Sequence, residues 1–157
     1  MAPRPTNRDA LPDPIAKAPT MLVKIKPKTY GPLTVQSADG TTLVFETEAG
    51  HRAHAALAPA ANAMSPADLM LAALANCIAI SIRMAAQQMA LELGALDVSV
   101  TATKATDLPN RIGRFNVAVR TSAAVDAGRY DELLRRTKDI CTISNTLGAE
   151  VVLQLVP

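Results

Sequence analysis

Cys77 and Cys141 are the only two cysteines in the chain, and their surroundings differ. Cys77 lies inside the apolar run Leu69-Met-Leu-Ala-Ala-Leu-Ala-Asn-Cys-Ile-Ala-Ile-Ser-Ile82, whereas Cys141 follows a charged segment and opens the polar stretch Cys141-Thr-Ile-Ser-Asn-Thr146. A lone pair of thiols is suited to redox chemistry, in which one thiolate attacks an oxidant and the second thiol closes a disulfide. Residue type alone argues the other way for Cys77, because burial in an apolar helix raises a thiol's pKa and leaves it inert. A free thiol near pKa 8.5 is only a few per cent thiolate at neutral pH. Lowering it to about 6.5 takes roughly 2.7 kcal/mol of differential stabilisation from a cation or from donors.

Metal chemistry finds no such support. His51 and His54 have a His-x-x-His spacing, but in the β-like run His51 to Leu57 the two rings face opposite sides, so one ion would not meet both. Met64, Met70, Met84 and Met89 read as gap-fillers of an aliphatic core.

The elements that must position the thiols follow from pattern. Residues 1–19 hold five prolines, Pro3, Pro5, Pro12, Pro14 and Pro19, and read as a tail ahead of a single domain over 20–157. Short β-like runs follow, Met21 to Lys26, Leu33 to Ser37, Thr41 to Thr47 and His51 to Leu57, separated by turn signals and expected to form an antiparallel meander. Ser65-Pro66-Ala67-Asp68 starts a helix, with Ser65 as N-cap and Asp68 in a capping box. That helix is expected to run to Leu93, with Gly94 as its stop. Its first half is apolar nearly all round, which requires burial on every side by a wrapped sheet or a second protomer. Two alternating strands come next, around Leu96 to Ala102 and Arg114 to Arg120, then an amphipathic helix from Val125 to Ile140 and a last strand from Ala149 to Val156. The order implies an α+β fold.

Composition narrows the classes of function. The chain is 49% hydrophobic with two Phe, two Tyr and no Trp, which suits one aliphatic core. A net charge of +2, from 16 basic and 14 acidic side chains without a basic run, makes nucleic acid a poor partner. The start of the chain lacks an apolar leader core, and the run from Leu69 to Ile82 is shorter than the roughly 20 residues a bilayer requires. A cytoplasmic protein outside the membrane is expected.

The two cysteine segments resemble the two motifs of the OsmC/Ohr family (osmotically inducible protein C and organic hydroperoxide resistance protein). There a Pro-led helix carries a reactive cysteine and a Cys-Pro-x-Ser-Asn-like segment carries its resolving partner. The likeness spans roughly Met21 to Val156. It implies antiparallel sheets around a long central helix in an intertwined homodimer, and thiol-dependent reduction of organic hydroperoxides with Cys77 attacking and Cys141 resolving. An external dithiol would restore the pair, and no metal, flavin or haem is required. In the family an arginine of the N-terminal meander, oriented by a glutamate ten positions before the reactive cysteine, activates the thiol. Here that position is Ala67, Asp68 stands one residue later, and Lys28-Thr-Tyr-Gly-Pro32 contains no arginine. Substitute cations are Lys28, Arg52, Arg111 and Arg114. The alternative is a non-catalytic OsmC-like protein that binds a small apolar ligand at the dimer interface.

Overall fold

The computed structural model describes residues 27–37, 39–56 and 63–156; the Pro-rich segment 1–19 and the β-like run Met21 to Lys26 lie outside them. Three strands, β1 (Leu33–Ser37), β2 (Thr42–Thr47) and β3 (Arg52–Ala56), form the expected antiparallel meander in the order β1-β2-β3. Asp39 sets the first turn by accepting hydrogen bonds from the backbone N–H groups of Thr41 and Thr42 at 2.9 and 2.7 Å. These donors, Thr42 first, hold its carboxyl down at about 2. The meander has two unlike faces: Thr34, Gln36, Glu46 and Arg52 line one, and Leu33, Val35, Leu43, Phe45 and Ala55 the other. His54 is exposed within β3, while His51 precedes the strand. No metal-binding cluster is found among the described residues.

Helix α1 spans Pro66–Gln88. Its start is the expected capping box: the Ser65 hydroxyl accepts from the Asp68 N–H at 3.2 Å, and the Asp68 carboxylate accepts from the Ser65 N–H at 2.9 Å. Its end differs from expectation. The helix stops at Gln88 rather than Leu93, and Ala90 takes the left-handed φ of 51° at the position glycine usually fills. The Leu91 N–H then bonds the Ala86 carbonyl at 2.9 Å and the Ala90 N–H bonds that of Gln87 at 3.2 Å, a Schellman closure that packs Leu91 back onto the helix. Gly94 serves the next turn instead. With φ at 66°, it lies so near Ser122 that an added Cβ would fall 2.2 Å from the Ser122 hydroxyl oxygen.

Strands β4 (Leu96–Lys104), β5 (Ile112–Thr121) and β6 (Glu150–Leu155) make a second sheet in that order. Here the expectation of antiparallel sheets fails, since β4 and β5 are antiparallel but β6 runs parallel to β5. A parallel neighbour needs a long crossover. Helix α2 (Ala127–Ile140) and the single turn α3 (Thr142–Thr146) supply it. The fold is thus mixed α+β, with one antiparallel and one mixed sheet.

The core lies between the second sheet and the helices. Phe115, Val117 and Val119 of β5 meet Leu74, Ile78, Ile82 and Ala85 of α1 and Leu133 of α2, all fully or almost fully buried. Within the single chain only this stripe of α1 is sealed: Ile80 is 62% and Met84 46% exposed on its outer flank. Met70 and Met89 pack against the core as expected, whereas Met64 and Met84 do not. By length and composition α1 could cross a bilayer; in this fold its inner stripe is interior to the protein.

Candidate thiol site

Cys77 sits midway along α1 and is partly buried, while Cys141 occupies the joint between α2 and α3 and is 0% exposed. The fold brings them together across the α1–α3 contact, near enough for Cys141 to act on the titration of Cys77. Both are free cysteines. The joint comes from the backbone at Cys141, whose ψ of 101° ends α2 and makes the same residue the N-cap of α3. Thr142 therefore begins a new turn even though it is not a proline. The Cys141 sulfur accepts from the Ser144 N–H at 3.4 Å, and the Ser144 hydroxyl donates to the Cys141 carbonyl at 3.1 Å. Asn145 steadies the turn from outside by donating to the Asp139 carbonyl at 3.2 Å.

Thr142 and Asn145 point outward, and the sulfur turns inward against α1.

Burial pushes the Cys77 thiol up, and the hydrogen bond to Cys141 adds to this by holding its proton. The charge of a second thiolate so near would act in the same direction. Two donors oppose the rise: the Ile143 N–H in the first turn of α3, and the hydroxyl of Ser81, one helical turn beyond Cys77 on α1. Neither was singled out in the sequence. The signal for Ser81 was a polar residue four positions from a cysteine in an otherwise apolar run.

The substitute cations take other partners. Arg52 pairs with Glu46 at 2.8 Å, Arg111 with Asp107 at 2.5 Å and Arg114 with Glu150 at 3.5 Å, and none of these arginines is among the groups that shift Cys77. Lys28 lies over the Tyr30 ring, 4.9 Å from its centroid. Asp68 is committed to its cap, where the Ser65 hydrogen bonds lower its pKa. Arg83 reaches the Gly94 carbonyl at 3.4 Å, away from the thiols.

The model of the OsmC-like protein family matches residues 59–156, which include α1, α2, α3 and both cysteines. The chain belongs to the OsmC-like family. Solved structures agree on the fold. An OsmC-like protein from Mycoplasma pneumoniae superposes with a TM-score of 0.70 at 16% identity, covering 82% of this chain and 99% of that one. An osmotic stress induced and detoxification response protein from Psychrobacter arcticus gives 0.66 at 17%, covering 85% and 98%. The organic hydroperoxide resistance protein OhrB of Bacillus subtilis gives 0.62 at 19%, covering 82% and 98%. At such identities the likeness shows the OsmC-like fold. No curated protein sequence matches the chain.

Proposed function

We propose that this OsmC-like protein reduces organic hydroperoxides through Cys77 and Cys141, as a cytoplasmic homodimer served by an external dithiol. The observation that carries the reading is the nearness of the two thiols across the α1–α3 contact. A sulfenic acid formed on one sulfur then lies beside the thiol that must condense with it. Their unequal access supports the order, since an oxidant meets the partly exposed Cys77 before the sealed Cys141. Cys77 as thiolate attacks the outer peroxide oxygen, the O–O bond breaks and the alcohol leaves with a proton, which gives Cys77–SOH. The Cys141 sulfur displaces that oxygen as water and forms the disulfide, and the dithiol reduces it through a mixed disulfide.

Ile80 and Met84 extend from Cys77 along the exposed flank of α1, which favours an apolar peroxide over hydrogen peroxide. Homodimerisation is supported by this flank and by the uncovered apolar face of the meander. An interface of the obligate kind buries over roughly 2,000 Å², and both surfaces suit one.

The raised Cys77 pKa favours a second reading, a non-catalytic protein that binds a small apolar ligand. Its place would be the concavity of about 420 Å³ lined by Leu33, Val35, Leu43, Phe45, Pro66 and Leu69. Stopped-flow mixing of the reduced protein with cumene hydroperoxide and with hydrogen peroxide separates the two. The peroxidase reading expects a fast phase with cumene hydroperoxide, slower with hydrogen peroxide and absent in Cys77→Ser. If the thiols stay unreacted while a thiol peroxidase control turns over, ligand binding takes first place.

A further inference from the structure

We infer that the external dithiol opens the oxidised pair by attacking the Cys77 sulfur, so that Cys77 carries the mixed disulfide and Cys141 departs as the thiolate. The inference rests on the peroxidase reading for the disulfide itself and adds the direction in which that bond is opened.

Thiol–disulfide exchange can begin at either sulfur, and access and leaving group decide between them. Access separates the two here. Cys141 is 0% exposed and belongs to the same buried cluster as Leu74, Ile78 and Leu133, whereas Cys77 is only partly buried and packs against that cluster from its margin. On α1 the exposed Asn76 and Ile80 flank Cys77, so a reductant arriving along the outer flank of the helix meets this sulfur first. An attacker aimed at Cys141 would first have to part the buried cluster.

The departing sulfur must also take up the electron pair. In a sealed site that charge is costly unless a donor meets it. The Ser144 N–H lies 3.4 Å from the Cys141 sulfur, and the Ser144 hydroxyl donates to the Cys141 carbonyl at 3.1 Å, which holds donor and acceptor in register. Ser144 is itself buried. The donor is therefore in place before the reductant arrives, and a hydrogen bond of this kind strengthens as its acceptor becomes charged.

In the reaction the dithiol's thiolate bonds to the Cys77 sulfur as the Cys77–Cys141 bond breaks, and Cys141 keeps the electron pair and takes up a proton. The second thiol of the reductant then attacks the reductant's own sulfur, releases Cys77 as thiolate and closes a disulfide within the reductant. The protein pair is reduced and the dithiol oxidised.

The test uses the unsubstituted full chain oxidised with diamide, which closes the disulfide without a hydroperoxide. Brief treatment with cysteamine, a monothiol that lacks the second thiol, is quenched with iodoacetamide, and the peptides are mapped under non-reducing conditions. The expected pattern is cysteamine on Cys77 and the alkyl group on Cys141, in about tenfold excess or more over the reverse. A smaller excess or the reverse pattern overturns the inference, as does a chain in which diamide forms no Cys77–Cys141 bond. The peroxidase reading fails separately. If cysteamine lands on Cys77 of the diamide-oxidised chain while cumene hydroperoxide leaves the reduced chain unchanged, the direction of opening stands and the peroxidase falls.

Discussion

The two sheets are each amphipathic, yet only one is finished within a single chain. The β4–β5–β6 sheet seals Phe115, Val117 and Val119 under α1 and α2. On the meander, Leu33 is 56% and Val35 55% exposed, on the same face as Phe45. The difference lies in the connections. The crossover from β5 to the parallel β6 lays α2 on its own sheet and α1, leading into β4, covers the rest, whereas the tight turns of the meander bring no helix with them. Period-2 alternation specifies which face of a strand is apolar but not which molecule covers it.

The comparison can be broken at either end. Phe115→Ala should cost about 3–5 kcal/mol, because it opens a cavity in a sealed layer that cannot collapse; urea titration of the variant would show the midpoint falling with an unchanged slope. Val35→Asp on the meander should leave the chain folded by circular dichroism but dissociate the proposed dimer at micromolar concentration, since a carboxylate buried at an interface costs several kcal/mol. Sedimentation equilibrium reads this directly. A variant that remains dimeric would mean that the open face is not the interface.

Smaller effects sharpen the picture inside the finished half. Ala90→Gly should raise stability by about 1 kcal/mol by relieving the left-handed φ at the end of α1, visible as a higher melting temperature. Burial raises the Cys77 pKa in the folded state above its ordinary value near 9.0, so the folded chain holds that proton more tightly than the unfolded one. The resulting stabilisation is complete below about pH 9 and is lost as pH rises through the folded value. Cys77→Ser should flatten the fall in stability between pH 9 and the alkaline limit, as measured by denaturant titration at several pH values.

Much of this organisation is legible in the residues. Leu33 to Ser37 has the bounds of β1, and Ser65 with Asp68 announces the start of α1 through chemistry that acts within four residues. What failed to read out depends on contacts distant in sequence. Gly94 looked like the helix stop because glycine suits a left-handed φ, but Ala90 takes that role and Gly94 is needed for its close approach to Ser122. The parallel pairing of β6 is fixed by the crossover, which alternation along one strand does not encode. At the site, both cysteines could be named from sequence. The inward turn of Cys141 required the packing of α3 on α1, and the engagement of Arg52, Arg111 and Arg114 with carboxylates required the strand pairings and the β4–β5 turn.

The central claim is that Cys77 and Cys141 act as one redox pair, and peptide mapping after oxidation tests it most directly. The reduced chain is treated with one equivalent of cumene hydroperoxide and digested under non-reducing conditions. The paired geometry predicts a Cys77–Cys141 crosslink within one chain, and in Cys141→Ser a sulfenic acid trapped on Cys77. Recovery of both cysteine peptides unmodified, or of Cys141 oxidised while Cys77 stays free, would contradict it.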